Sequence, residues 1–480
     1  MKSRRYSKTG WKKTFASLLG MASGPSLLAG SMPFMLPGPG QPPVPPKPAL
    51  VSAPGMGAAT NSFASLHSTN ALEKLLDGDI PGALAQGRLN VNARLRYEQD
   101  EEEGVKAITK GAYAPTFRTR LGYTTAPVYG LDAMIEGVNV TALGPEHNYN
   151  AAGSNGQGAR PVVADPALTR VDQAWVGYNL TNVLSAKVGQ QDINLDNQRF
   201  IGDVNWRQNM QTFNAASMSV TPFKDFAIYY SYLWYVNRVF GNVSGLPAAN
   251  TDFKSHSHLI NLDYSGWKYG RFVGYAYLLN LKDNVDDLSS CATYGGYFAG
   301  QAPLSRNLWV DYRAEYAWQT QYGNSPLRYD ASYFNLESGL RLDPVALGAG
   351  FEDLGGAVNG GAAGGYTSFR TPLATLHAFN GWADVFLTTP SQGLHDLYAY
   401  CQVNLPLSLP VYFTFHKYDA DYGGGNYGQE YDVMVSRKFL KHWSALLAYA
   451  YYQGGDAPVP SLPSPNVDVQ KFWAQLEFNY

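Results

Sequence analysis

The chain has 480 residues and a formal net charge of −2, from 36 basic and 38 acidic side chains, which argues against nucleic acid as its main partner. Its 34 Tyr, 22 Phe, 10 Trp and 49 Gly suit strands with aromatic girdles. No uncharged apolar run reaches the roughly 18 residues of a membrane-spanning helix. The two cysteines, Cys291 and Cys401, fit no metal-ligand spacing and are expected to be free.

Taken in chain order, residues 2–13 carry Lys2, Arg4, Arg5, Lys8, Lys12 and Lys13 without an acid, and Phe15–Ala29 are apolar and small. This reads as a secretory signal peptide, so residues 1–31 are assigned to it. Residues 32–86 read as a Pro-rich linker followed by a short helix near 62–78. From residue 87 the pattern changes. Over Arg88–Glu98, Leu89, Val91, Ala93, Leu95 and Tyr97 alternate with Asn90, Asn92, Arg94, Arg96 and Glu98. Period-two alternation is a strand, and two arginines and a glutamate on one face give it the inside-out polarity of a membrane barrel.

Further strands are expected near 115–124, 129–140, 169–180, 183–192, 211–221, 225–238, 255–265, 270–281, 288–299, 306–319, 330–341, 346–353, 395–404, 410–418, 428–439, 442–453 and 468–480. The last of these puts Phe472, Ala474, Leu476, Phe478 and Tyr480 on one face, as a strand that closes a barrel on its first strand would. Connections after even strands are short and most of those after odd strands are long, the parity of periplasmic turns and extracellular loops. The fold class implied is all-β: a transmembrane antiparallel barrel of about 18 strands spanning 87–480. A ring of that size encloses more than side chains can fill, so an aqueous channel is expected unless loops close it.

The inward faces nominate the lining residues. Arg94, Arg96, Arg118 and Arg120 form a positive strip on two adjacent strands; Glu136, Lys187, Asp311, Arg313 and Glu315 come from later ones, as do Asp132, Glu337, Arg341, His416, Glu430, Asp432 and Lys438. Arginine keeps its charge and presents a fork that matches carboxylates, so the strip would concentrate acidic cargo. Alternatively it braces the wall by pairing with acids such as Glu98 and Glu136. The polar loop 192–211, with Arg199 and Arg207, is a candidate constriction. The largest loop, 354–394, is too apolar to stand free; Phe369, His377, Trp382 and Asp384 are its candidate plug residues. No nucleophile motif accompanies His377, Asp384 and Thr375, so no catalytic residue, cofactor or metal is expected.

Three blocks carry a family resemblance: Val188–Ser217, VGQQDINLDNQRFIGDVNWRQNMQTFNAAS; Tyr312–Gln319, YRAEYAWQ; and Phe369–Asp396 with its TPLATLHAFNGWAD core. They resemble the alginate-export-type outer-membrane porins. The resemblance implies an 18-stranded barrel in the bacterial outer membrane with an arginine-rich pore and inserted loops. Two positions depart from the family pattern: its usual Gly-Arg-Gln is Gly189-Gln190-Gln191 here, and an Asp common before the sixth strand's apolar run is Asn214. The function implied is a passive channel for an acidic oligo- or polysaccharide, the alternative being a weakly selective general porin. The partners implied are an anionic glycan or small anionic solutes, the lipid bilayer and the barrel-assembly machinery.

Overall fold

The computed structural model describes residues 78–180, 183–282, 287–357, 367–462 and 464–480. The signal-peptide segment, the Pro-rich linker and the helix expected at 62–78 lie outside the described residues, apart from the linker's last residues. There a six-residue helix, α1 (Ile80–Ala85), leads into the barrel. It sits beside the first short turn: the Ala126 amide donates to the Ala83 carbonyl at 3.1 Å.

Eighteen antiparallel strands form the barrel. They are β1 (Arg88–Glu103), β2 (Ala112–Thr124), β3 (Leu131–Ala142), β4 (Leu168–Leu180), β5 (Leu184–Gln191) and β6 (Thr212–Phe223). Next come β7 (Phe226–Asn237), β8 (Phe253–Trp267), β9 (Gly270–Leu279, continued by Leu281–Lys282), β10 (Cys291–Pro303), β11 (Trp309–Gln321) and β12 (Asp330–Leu342). The last six are β13 (Val345–Leu354), β14 (Leu394–Leu405), β15 (Leu409–Asp419), β16 (Asn426–Phe439), β17 (Trp443–Gly454) and β18 (Asp468–Asn479). Each strand pairs with the next in sequence, and β18 pairs with β1 from Asn92↔Asn479 to Glu103↔Asp468. Val91 and Tyr480 then exchange both backbone hydrogen bonds, at 2.9 and 3.1 Å, so the ring has no free edge there. The strand count and the fold class match the sequence reading. Strand β1 runs five residues past its expected end at Glu98, and β10 and β11 start about three residues C-terminal to their expected starts. Gly295, Gly296 and Gly300 make β10 look loop-like, yet they are needed: a Cβ on Gly300 would collide with the Tyr269 carbonyl oxygen in the turn before β9.

The polarity is that of a membrane barrel. Leu95 is 43% exposed while its neighbour Arg96 is 1% exposed. Leu121, Ile135, Val176, Leu336 and Leu347 face outward in the same way. At the short-turn end, aromatic residues gather as an interfacial girdle, including stacked Phe223 and Phe226 and the Trp267–Phe272–Phe298 group. Deleting Phe478–Tyr480 removes the pairing with Val91–Ala93. Such protein is expected to stay unassembled and protease-sensitive, without the gel shift on boiling that marks a closed barrel. Normal insertion of the shortened chain would show that these pairs are dispensable.

Candidate functional site: a lumen crossed by two loops

The β5–β6 loop, residues 192–211, reaches across the lumen. At one end Asp196 accepts hydrogen bonds from Tyr297 and Asn261 at 2.8 Å each and pairs with Arg271 at 3.4 Å, which ties it to β8, β9 and β10. Near the middle Arg199 makes a bidentate pair with Glu352 of β13, at 2.8 and 3.0 Å. At the other end Arg94 donates to the carbonyls of Asn205, Trp206 and Arg207, and Arg118 to the Asn205 side chain and the Arg207 carbonyl. The route needs unusual backbone: Asp196, Gln198 and Val204 all have positive φ. Val204, at φ 53°, is β-branched and strained there. Its amide is held by the Thr375 hydroxyl.

The β13–β14 loop, of which 355–357 and 367–393 are described, packs on the first. Ile201 and Leu373 form a parallel bridge, the Gly202 amide donates to the Leu373 carbonyl at 2.9 Å, and Thr375 Oγ1 bonds Gln198 Oε1 at 2.6 Å. Phe369 is fully buried 5.8 Å from Phe200, and Phe386 sits against Tyr418 at 4.3 Å. The amides of Trp382 and Ala383 point to Asp432 and Glu430 of β16. Gly381 has φ 84°, and a Cβ there would strike the Glu430 carboxylate. The apolar residues that made this loop unfit to stand in water therefore pack inside the barrel.

Asp384 joins the loops to the wall. It accepts from Arg207 at 2.8 Å and from His377 Nδ1 at 2.7 Å, and it lies 3.5 Å from Lys471 of β18. Burial alone would raise this loop carboxyl; His377, Lys471 and Arg207 outweigh that and hold it below the usual carboxylate range. Above it, His377 stacks on Trp206 at 4.2 Å, and the Arg96 guanidinium covers the far face of that indole at 4.3 Å. Thr375, which bonds Gln198 and Val204, sits in this assembly as a link between loops.

All four arginines of the strip face the lumen and are buried, but their partners differ from the acids singled out in the sequence. Arg94 and Arg118 share Glu477 of β18 at 3.1 and 3.2 Å, Arg96 lies 3.9 Å from Asp165, and Arg120 meets Asp172 at 2.9 Å. Glu98 pairs instead with Arg207 at 3.0 Å, and Glu136 enters no ion pair among the described residues. A bulge explains Asp172. Glu136 pairs with Gln173 and Gly137 with Val171, so Asp172 is the extra residue and is turned into the lumen. Around these loops Lys471 also meets Asp100 at 3.2 Å. Each cation of the cluster thus has a carboxylate nearby.

His416 pairs with Asp396 at 2.9 Å, which in turn accepts from Asn380 of the β13–β14 loop at 3.0 Å, whereas Arg313, Glu315, Asp311, Arg341 and Lys187 lie apart from this cluster. Arg313 pairs with Glu315 on its own strand at 2.7 Å and covers the Tyr297 ring at 3.8 Å; Asp311 pairs with Arg341 at 3.6 Å; and Lys187 covers Trp175 at 4.3 Å. Both cysteines are free.

A closed inside-out barrel of eighteen strands, crossed by inward loops, defines an outer-membrane β-barrel channel. Residues 132–348 match the model of the alginate export family, which bears out the resemblance read from the sequence and contains two of its three blocks. No curated protein sequence matches the chain. Among solved structures it is similar to Acinetobacter baumannii OccAB2, at 12% identity and a TM-score of 0.63, over 83% of this chain and 99% of that one. Pseudomonas aeruginosa OccK9 (OpdG) matches at 11% identity and a TM-score of 0.62, over 83% and 100% of the two chains. Pseudomonas aeruginosa OpdK, solved with vanillate, matches at 10% identity and a TM-score of 0.60, with the same coverage. At such identities these structures speak to the fold.

Proposed function

We propose that the protein is a gated passive channel for acidic solutes of the carboxylated-sugar kind, from single units to short oligomers. The observation that carries this is the use made of the arginine strip. Arg94 and Arg118 spend N–H groups on loop carbonyls, and Arg96 lies beside Asp165 of another loop. When the loops withdraw, the Nη1 groups of these arginines, whose other nitrogens stay on the wall residues Glu477, Asn92 and Gln475, are released to take a carboxylated cargo. The alginate export match supports the same chemistry. We read the buried His377–Asp384 pair as structural and assign the protein no catalytic step.

A second reading, a weakly selective general porin, is favoured by one observation: the loop cluster holds as many carboxylates as cations. Bilayer recordings separate the two. Wild type is expected to favour anions in a salt gradient and to be blocked by uronate oligomers, more at low salt than at high. Changing Arg94, Arg96, Arg118 and Arg120 together to glutamine should move the reversal potential toward cations and weaken the block. The gel shift on boiling checks that the variant closes. Unchanged reversal potential and block would leave the general porin.

A further inference from the structure

A group of metal-ligating side chains stands outside the lumen, at the root of the plug-bearing loop. Asp353 near the end of β13 and His395 near the start of β14 are directly paired residues, and these two strands are the entry and exit of the 355–393 loop. Asp421 comes from the short β15–β16 loop beside them. Glu352 and Leu354 point inward, so the half-exposed Asp353 points outward at the rim. His395 Nε2 lies 3.5 Å from Asp353 Oδ1 and 3.3 Å from Asp421 Oδ1, and the three atoms all lie within 4.8 Å of one another.

We propose that these residues form a site for a zinc-class divalent ion that pins the root of the plug loop. Three observations lead there. Zinc bonds of about 2.0–2.2 Å to imidazole and carboxylate place tetrahedral ligands about 3.3–3.6 Å apart, and the two distances from the imidazole fall in that range. Asp353 Oδ1 is shielded from solvent yet makes no hydrogen bond among the described residues, so it is an acceptor left open toward the other two. The second oxygen of Asp421 accepts the Gly356 amide at 2.9 Å, which orients the carboxylate and ties it to the first residues of the loop. One imidazole and two carboxylates suit a borderline ion better than calcium or magnesium, which favour oxygen alone. A bound ion would join β13, β14 and the β15–β16 loop at one point.

The test uses the whole untagged protein folded in detergent, titrated with Zn2+ against a chromogenic chelator. Wild type is expected to bind one Zn2+ per chain. His395→Ala and Asp421→Asn should each weaken binding by at least the roughly 10–100-fold that loss of an outer partner costs. His256→Ala with His258→Ala, which removes two other outer-face histidines, should leave binding as it was. No Zn2+ binding by wild type, equal affinity in His395→Ala, or equal competition by Ca2+ overturns the site. The gel shift on boiling shows which variants are closed barrels. A bilayer arm rests on the channel reading: Zn2+ should lengthen closed dwell times in wild type and not in His395→Ala. Zn2+ binding with unaltered dwell times overturns the pinning alone, whereas absence of current in every variant counts against the channel and not the metal.

Discussion

Replacing Phe369–Pro390 with a short Gly-Ser linker is expected to raise single-channel conductance several-fold. This segment supplies Phe369, Trp382 and Phe386, all buried among lumen-facing residues, together with the carbonyl of Leu373 and the hydroxyl of Thr375 that hold the β5–β6 loop. Its removal opens the space it fills and also frees Val204 to leave its strained conformation, so both loops should yield. The strand ladders are untouched, and the barrel should still shift on boiling. Conductance equal to wild type in a correctly closed barrel would place the segment outside the path of ions.

The largest single-residue effect is expected at Asp384. Asp384→Ala leaves Arg207, Lys471 and His377 facing one another in a buried site, and breaking such a cluster costs about 3–5 kcal/mol. The loss should fall on loop docking rather than on barrel closure. Recordings should show frequent openings, and the 367–393 segment should become open to proteolysis. The pH dependence has a definite sign. The carboxyl is held below its ordinary range in the folded protein. Its contribution is therefore complete above the unfolded value near about 4 and is lost as pH falls through the lower folded value. Opening noise in wild type should be flat between neutral pH and about pH 5 as far as Asp384 is concerned, rising only in strong acid. Unchanged noise and protease resistance in Asp384→Ala would show that other contacts hold the loops.

The barrel was legible because two independent signals agree along it: side-chain alternation and the short-long parity of connections. Lipid on one side and water on the other force the first, and a closed antiparallel ring forces the second. The partners of the arginine strip were harder to read. Glu477 stands on the polar face of the last strand, in plain view, but the β1–β18 register that sets Arg94 opposite it is a property of closure. Asp172 was hidden by a bulge, which shifts period-two reading by one residue. Lys471 joins the site because the β13–β14 loop carries Asp384 to it, and Asp165 because the β3–β4 loop brings it to Arg96 and Arg207. The apolar content of the β13–β14 loop gave away that it is buried, while its particular contacts depend on three-dimensional packing that no local pattern encodes.

The β5–β6 loop has a mechanical consequence. It is bolted to β1 and β2 by Arg94 and Arg118 and to β8–β10 by Asp196, which are far apart around the ring. A hoop of hydrogen-bonded strands is stiff along its circumference and soft to flattening; a tie-rod across it resists a change of cross-section along the tied diameter. Squeezing the hoop along that diameter slackens the rod, and stretching it pulls on the same guanidinium contacts that keep the loop in place. A force on the outer wall along that diameter therefore bears directly on the β5–β6 loop.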